Sequence, residues 1–169
     1  MNTRPAPRLR RAYFDCRYGQ LHVHNAIPAG GGFDELTTLV CIPGSGTTGP
    51  VFASVLAELG RERSIYALDL PGSGESDPAG GVGAVEAGVH AVGDFLDSMR
   101  IRVVDLLALA DGAVIARRLA AERPKQVRRV ALMSEGAAAA QALSQPSLLL
   151  DAAQAAAPGR NARLIQFLA

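Results

Sequence analysis

Two hydrophobic registers follow one another along the chain. Residues 11–28, RAYFDCRYGQLHVHNAIP, carry two strand-like runs on either side of Tyr18-Gly19, which predicts a β-hairpin, and AGGGFDEL after them reads as a loop. From Thr38 the pattern changes. TLVCI, SIYALDL, VVDLLAL and VRRVALM are continuous apolar runs separated by helical segments, as expected for a parallel sheet covered on both faces. Between about Val82 and Arg100, the residues Val85, Val89, Val92, Leu96 and Met99 recur every three or four positions and predict a helix with one buried stripe. A further helix is expected from Gly112 to Arg123, stopped by Pro124. Beyond Gly136 the chain is rich in alanine and interrupted by Pro146 and Pro158, so it is expected to be helical, with no further strand. The predicted organisation is a flexible basic tail at 1–12, an α/β core at 13–135 and a helical segment at 136–169.

Composition narrows the classes. In 169 residues, 49% hydrophobic and 20% charged, there is material for one good core, and a formal net charge of +1 gives no electrostatic case for nucleic acid. Lys125 is the only lysine, which argues against a P-loop and against Schiff-base chemistry at any other position. The basic start MNTRPAPRLRR runs into AYFDCRYGQ without a long apolar stretch, so no signal peptide, membrane span or membrane partner is expected and the expected location is cytoplasmic. Cys16 and Cys41 read as free thiols, and no metal-ligand spacing stands out.

The chemistry hinges on the loop in LVCIPGSGTTGPVF. Gly44, Gly46 and Gly49 satisfy the dinucleotide pattern G-x-G-x-x-G, and Asp69 lies about where such a unit places its ribose-binding carboxylate. The same glycines also let a backbone N–H approach and polarise a substrate carbonyl. The next strand end, ALDLPGSGESDP, bears on this choice. A strand, a Pro-Gly loop, a helix and then D-L-P-G-x-G-x-S resemble the α/β-hydrolase fold, with matching segments from about Tyr13 to Ser134.

That resemblance implies a three-layer α/β/α fold with an N-terminal hairpin and a mainly parallel sheet, here its N-terminal portion, with the segment at 136–169 resembling the start of a cap. It implies a hydrolase of esters, amides or related bonds, acting on a small molecule without a cofactor. PGSG then stands where the family carries His-Gly, with Pro43 replacing the histidine and Gly44 and Gly46 shaping the loop, so that Ser45 N–H becomes one oxyanion donor. The family's nucleophile elbow is G-x-S-x-G. Aligned on LLALADGAVIARRLA, it puts Ala108 at the first glycine, Ala110 at the nucleophile and Gly112 at the last glycine, with Asp111 supplying the second oxyanion N–H. Shifting the register to make Asp111 the attacking group would place Ala113 where Gly112 fits.

The family's catalytic acid and histidine come after its sixth strand. None of His22, His24 and His90 matches that histidine, and Glu135 is the one candidate for a displaced acid, against the ordinary reading of a solvated carboxylate. The chain is therefore expected to be inactive in isolation, as a degenerate relative, a split or truncated hydrolase, or an engineered fragment. The alternative is a non-catalytic binding or scaffold protein that keeps the pocket.

Other candidates have plain readings. His22 and His24 share one face of a strand and read as solvent-facing, opposite Leu21 and Val23, with no third metal ligand apparent. His90 is expected to pair with Glu86 one helical turn away, and Ser45, Ser73 and Ser76 to form turns. VRRVALMS, at 127–134, would form an exposed sheet edge, so self-association, a complementary C-terminal chain, or coverage by the segment after Gly136 is expected there.

Overall fold

A computed structural model describes residues 4–30, 36–133 and 163–167. The strands β1 (Arg8–Cys16) and β2 (Gly19–Ile27) form the hairpin, with Cys16 opposite Gly19, so Arg17 and Tyr18 make the turn. β1 begins at Arg8, which corrects the expectation of a flexible tail through residue 12: Arg8 to Ala12 pair with Val23 to Ile27.

The parallel part follows as β3 (Thr38–Ile42), β4 (Ile65–Leu68), β5 (Val104–Leu109) and β6 (Val127–Met133). The helices are α1 (Ala53–Leu59), α2 (Ala84–Ser98) and α3 (Gly112–Glu122), with a short 3-10 turn at Gly49–Phe52 before α1. β7 (Arg163–Phe167) completes a seven-stranded sheet of order β1-β2-β4-β3-β5-β6-β7. The fold is the expected three-layer α/β/α arrangement, with an antiparallel hairpin on a parallel sheet.

β7 corrects the expectation that no strand follows β6. It runs parallel to β6 from Arg129 to Met133, so the backbone edge at 127–134 is bonded along most of its length by the chain itself. Ser134, Glu135 and the helical segment expected from 136 lie outside the described residues, apart from this strand.

Two apolar layers sandwich the sheet. On one side α2 and α3 cover Leu21, Val23, Val40, Leu68, Leu106 and their neighbours, and on the other the 3-10 turn and α1 cover Cys41, Ala67, Leu107 and Leu109. Phe95 of α2 is fully buried and meets Phe14 of β1 and Tyr66 of β4 edge-on, with ring centroids 5.1 and 5.2 Å away. Those contacts clamp the hairpin to the parallel strands, so truncation of Phe95 to alanine is worth about 3–5 kcal/mol. Of the stripe predicted on α2, Val89, Val92 and Leu96 are buried and Met99 packs partly against them, but Val85 stays 37% exposed because the first turn of α2 borders a cleft.

Among the described residues no helix is long and apolar enough to cross a membrane. Cys16 and Cys41 are free thiols, and complete burial pushes the Cys41 thiol far above its usual range.

Candidate active site

The carboxyl ends of β3, β4 and β5 point at one place, the position where open parallel sheets hold ligands. After β3, Pro43 and Gly44 are buried, and Ser45 and Gly46 form an exposed turn closed by the Thr47 N–H on the Gly44 carbonyl at 3.1 Å. Gly46 occupies the left-handed region at φ +77°, which that turn requires.

After β5 comes a sharp strand-to-helix turn. Ala110 sits at φ +52°, a conformation that costs an L-residue roughly 1–2 kcal/mol and persists only where the surroundings impose it. They do so from both sides: the Ala110 N–H donates to the Met133 carbonyl at 2.7 Å, and its carbonyl accepts from the Ala113 N–H at 3.1 Å as α3 starts. Gly112 permits the closure, since a Cβ there would lie 2.5 Å from the Pro43 carbonyl oxygen.

Ser45 and Asp111 meet between these two loops. The Ser45 N–H donates to Asp111 Oδ1 at 2.6 Å, and the Ser45 hydroxyl donates to Oδ2. These bonds hold the Asp111 carboxyl below the usual carboxylate range, although the residue is exposed. Sequence reasoning brought both residues to this place as backbone donors, and the structure brings them together. It also adds what the pattern could not show: the Ser45 N–H is already engaged by the Asp111 side chain. A cleft of about 80 Å³ opens beside them, bordered by Gly44, Leu70, Ser73, Val85 and Ile115. Ser73 supports its wall through a turn in which its N–H donates to Leu70 O at 2.8 Å.

No imidazole reaches this point among the described residues. His90 is hydrogen-bonded through Nδ1 to the Tyr18 hydroxyl at 2.6 Å, which corrects the expected pairing with Glu86. The other acidic residues of that helix face turn elsewhere, Asp94 to Arg17 and Asp97 to Arg123.

His22 and His24 also depart from expectation. They do lie opposite Leu21 and Val23, but the 3-10 turn and Asp69 cover that face, so the His22 side chain is only 3% exposed and that of His24 17%. Burial pushes the His24 pKa down, against a weaker upward pull from Asp69. Asp69 is itself buried, hydrogen-bonded to His22 Nδ1 at 2.9 Å and accepting from the Gly49 N–H at 2.7 Å. A carboxylate so enclosed is not open to a ribose, which removes the dinucleotide reading of the glycine loop. Ser76 joins the same lattice, accepting from the His22 N–H and donating to the Asp69 carbonyl. Glu135 lies outside the described residues.

The comparisons with known proteins bear on this arrangement. A sequence model described as the alpha/beta hydrolase family matches residues 39–169, most of the chain. The chain belongs to that family. Among solved structures, this hydrolase-family chain is similar to the Cfl2 protein of Burkholderia cenocepacia, at 28% identity and TM-score 0.65, over 73% of its own length and 40% of that protein's. It is also similar to naproxen esterase from Bacillus subtilis, at 21% identity and TM-score 0.65, covering 74% of this chain and 42% of that one. A haloalkane dehalogenase from Agrobacterium tumefaciens aligns at 21% identity and TM-score 0.63, covering 73% and 40%. The chain thus spans less than half the length of these relatives. No curated protein sequence matches it.

Proposed function

We propose that this α/β-hydrolase-family chain descends from enzymes that hydrolyse an ester, amide or related bond, and that by itself it binds at the ancestral site without turning a substrate over. The observation that carries the reading is Ala110, a methyl group held at φ +52° at the tip of the strand-to-helix turn. That geometry exposes a nucleophile's side chain in hydrolases, and here the side chain has no atom that can attack.

Three further points support it. A serine hydroxyl attacks only when a base takes its proton, and the imidazoles of His22 and His90 are engaged by Asp69 and Tyr18. Asp111 is a poor substitute nucleophile, because Ser45 holds both of its oxygens and keeps its basicity low. A histidine supplied by another segment or chain would still find an alanine at position 110. The intended role of the two loops is polarisation of a carbonyl by the N–H groups of Ser45 and Asp111, and the ligand class is a small molecule with a carbonyl or carboxylate group.

The non-catalytic reading is favoured specifically by the Ser45–Asp111 contact, since it occupies a donor that hydrolysis would need free. The test is Ala110→Ser. General-base assistance is typically worth about 10²–10⁴ in rate, so the restored hydroxyl alone should label with a fluorophosphonate no faster than a free serine. Rapid stoichiometric labelling at position 110 would show a base within reach and leave Ala110 as the only block, and saturable ester turnover by the unaltered chain would overturn the proposal.

A further inference from the structure

The second cluster of titratable side chains lies away from the cleft, on the α1 side of the sheet. His22 and His24 are two residues apart on β2 and therefore face the same way, while Asp69 arrives at the end of the neighbouring strand β4. His22 Nδ1 is 2.9 Å from Asp69 Oδ2 and His24 Nε2 is 3.9 Å from Oδ1, with the two rings edge to face at 4.7 Å. One ligand atom from each residue falls within 4.8 Å of the others.

We propose that His22, His24 and Asp69 form a binding site for a divalent transition-metal ion of the zinc class. Two imidazoles and one carboxylate are a donor set that suits zinc, whereas magnesium prefers oxygen ligands throughout. Bonds of about 2.0–2.2 Å put tetrahedral ligand atoms roughly 3.4 Å apart, so a pair at the 4.8 Å limit has to close by about 1.4 Å. The carboxylate is already oriented from behind, by the Gly49 N–H at 2.7 Å on Oδ1 and the Glu75 N–H at 3.3 Å on Oδ2. Outer hydrogen bonds of that kind fix ligating carboxylates in metal sites.

Packing around the cluster is specific. A Cβ at Gly49 would lie 2.5 Å from His24 Cδ2 and 3.2 Å from Asp69 Oδ1, so only glycine lets this backbone close on both ligands. Glu75, engaged by the Tyr13 hydroxyl, adds a second negative charge nearby, and the Tyr13 ring lies tilted at 42° against His22 with centroids 4.9 Å apart.

His24 also lines a cleft of about 380 Å³ together with Arg10, Arg11, Asn25 and Pro50. Three protein ligands leave a fourth position open. The two arginines in the cleft's lining favour an anionic occupant there, such as a carboxylate.

The full chain, stripped of metal by chelation, is titrated with Zn²⁺ and with Mg²⁺, following heat, melting temperature and the ¹⁵N resonances of the histidine side chains. The proposal requires one Zn²⁺ per chain, a higher melting temperature, movement of the His22 and His24 resonances with His90 unmoved, and no response to Mg²⁺. His24→Gln should weaken Zn²⁺ binding by roughly tenfold or more. Absence of saturable binding, a response centred on His90, or unchanged affinity in the variant would each overturn the site and leave the cluster as a structural clamp. Should the variant fail to fold, the resonances of the unaltered chain decide.

Discussion

The Asp111 carboxylate accepts both the backbone N–H and the hydroxyl of Ser45, joining the loop after β3 to the turn after β5 across 66 residues of sequence. A carboxylate thus already rests on the Ser45 N–H.

Removal of that carboxylate should open the donor. In Asp111→Ala the Ser45 amide proton moves markedly upfield in the NMR spectrum, and a small phosphonate or carboxylate ligand binds roughly tenfold more tightly than to the unaltered chain, the scale of one charge-assisted hydrogen bond. A Ser45 amide that does not move in this variant would mean the contact is absent in solution.

The elbow's strain can be read by substitution in both directions. Ala110→Gly relieves a left-handed alanine and should stabilise the chain by ~0.5–1 kcal/mol. Gly112→Ala drives a methyl against the Pro43 carbonyl and should cost about 1–3 kcal/mol. Urea unfolding measures both, and loss of stability in Ala110→Gly would contradict the backbone conformation described.

Acid should weaken the fold through named pairs. Arg17 holds the Asp94 carboxyl, and Arg123 the Asp97 carboxyl, below the usual carboxylate range. Because each pKa is lowered in the folded chain, the stabilisation is present at neutral pH and is lost as the pH falls below about 4. Both pairs are partly solvated, so each is worth under about 1 kcal/mol. The melting temperature should therefore drop less between pH 5 and pH 3 in Asp94→Asn and Asp97→Asn than in the unaltered chain, and an equal drop in all three would remove these pairs from the account.

Much of the frame was legible because it depends on local pattern. TLVCI is β3 residue for residue, and the periodicity of Val89, Val92 and Leu96 gave the buried face of α2. What was missed depends on long-range placement. Alternation put His22 and His24 opposite Leu21 and Val23 but carried no signal that another layer covers that face, and Asp69 lies 47 residues beyond His22. His90 was assigned its helical neighbour Glu86, whereas its partner Tyr18 comes from the hairpin turn 72 residues away. In the site, spacing placed Ser45 and Asp111 through their backbones but could not say where the Asp111 side chain points. β7 has no clear signal in the sequence, because the alanine-rich stretch before it reads as helix and RLIQF is too short to announce a strand without a sheet edge to join.

The most direct test of the central claim is turnover of an activated short-chain ester by the purified chain, measured against substrate concentration and in the presence of a fluorophosphonate. The expected rate rises linearly with substrate, stays at the level of an unrelated protein and ignores the inhibitor. Saturable turnover that the fluorophosphonate abolishes would contradict it, because such a rate requires a nucleophile and a base that Ala110 and the engaged histidines do not provide.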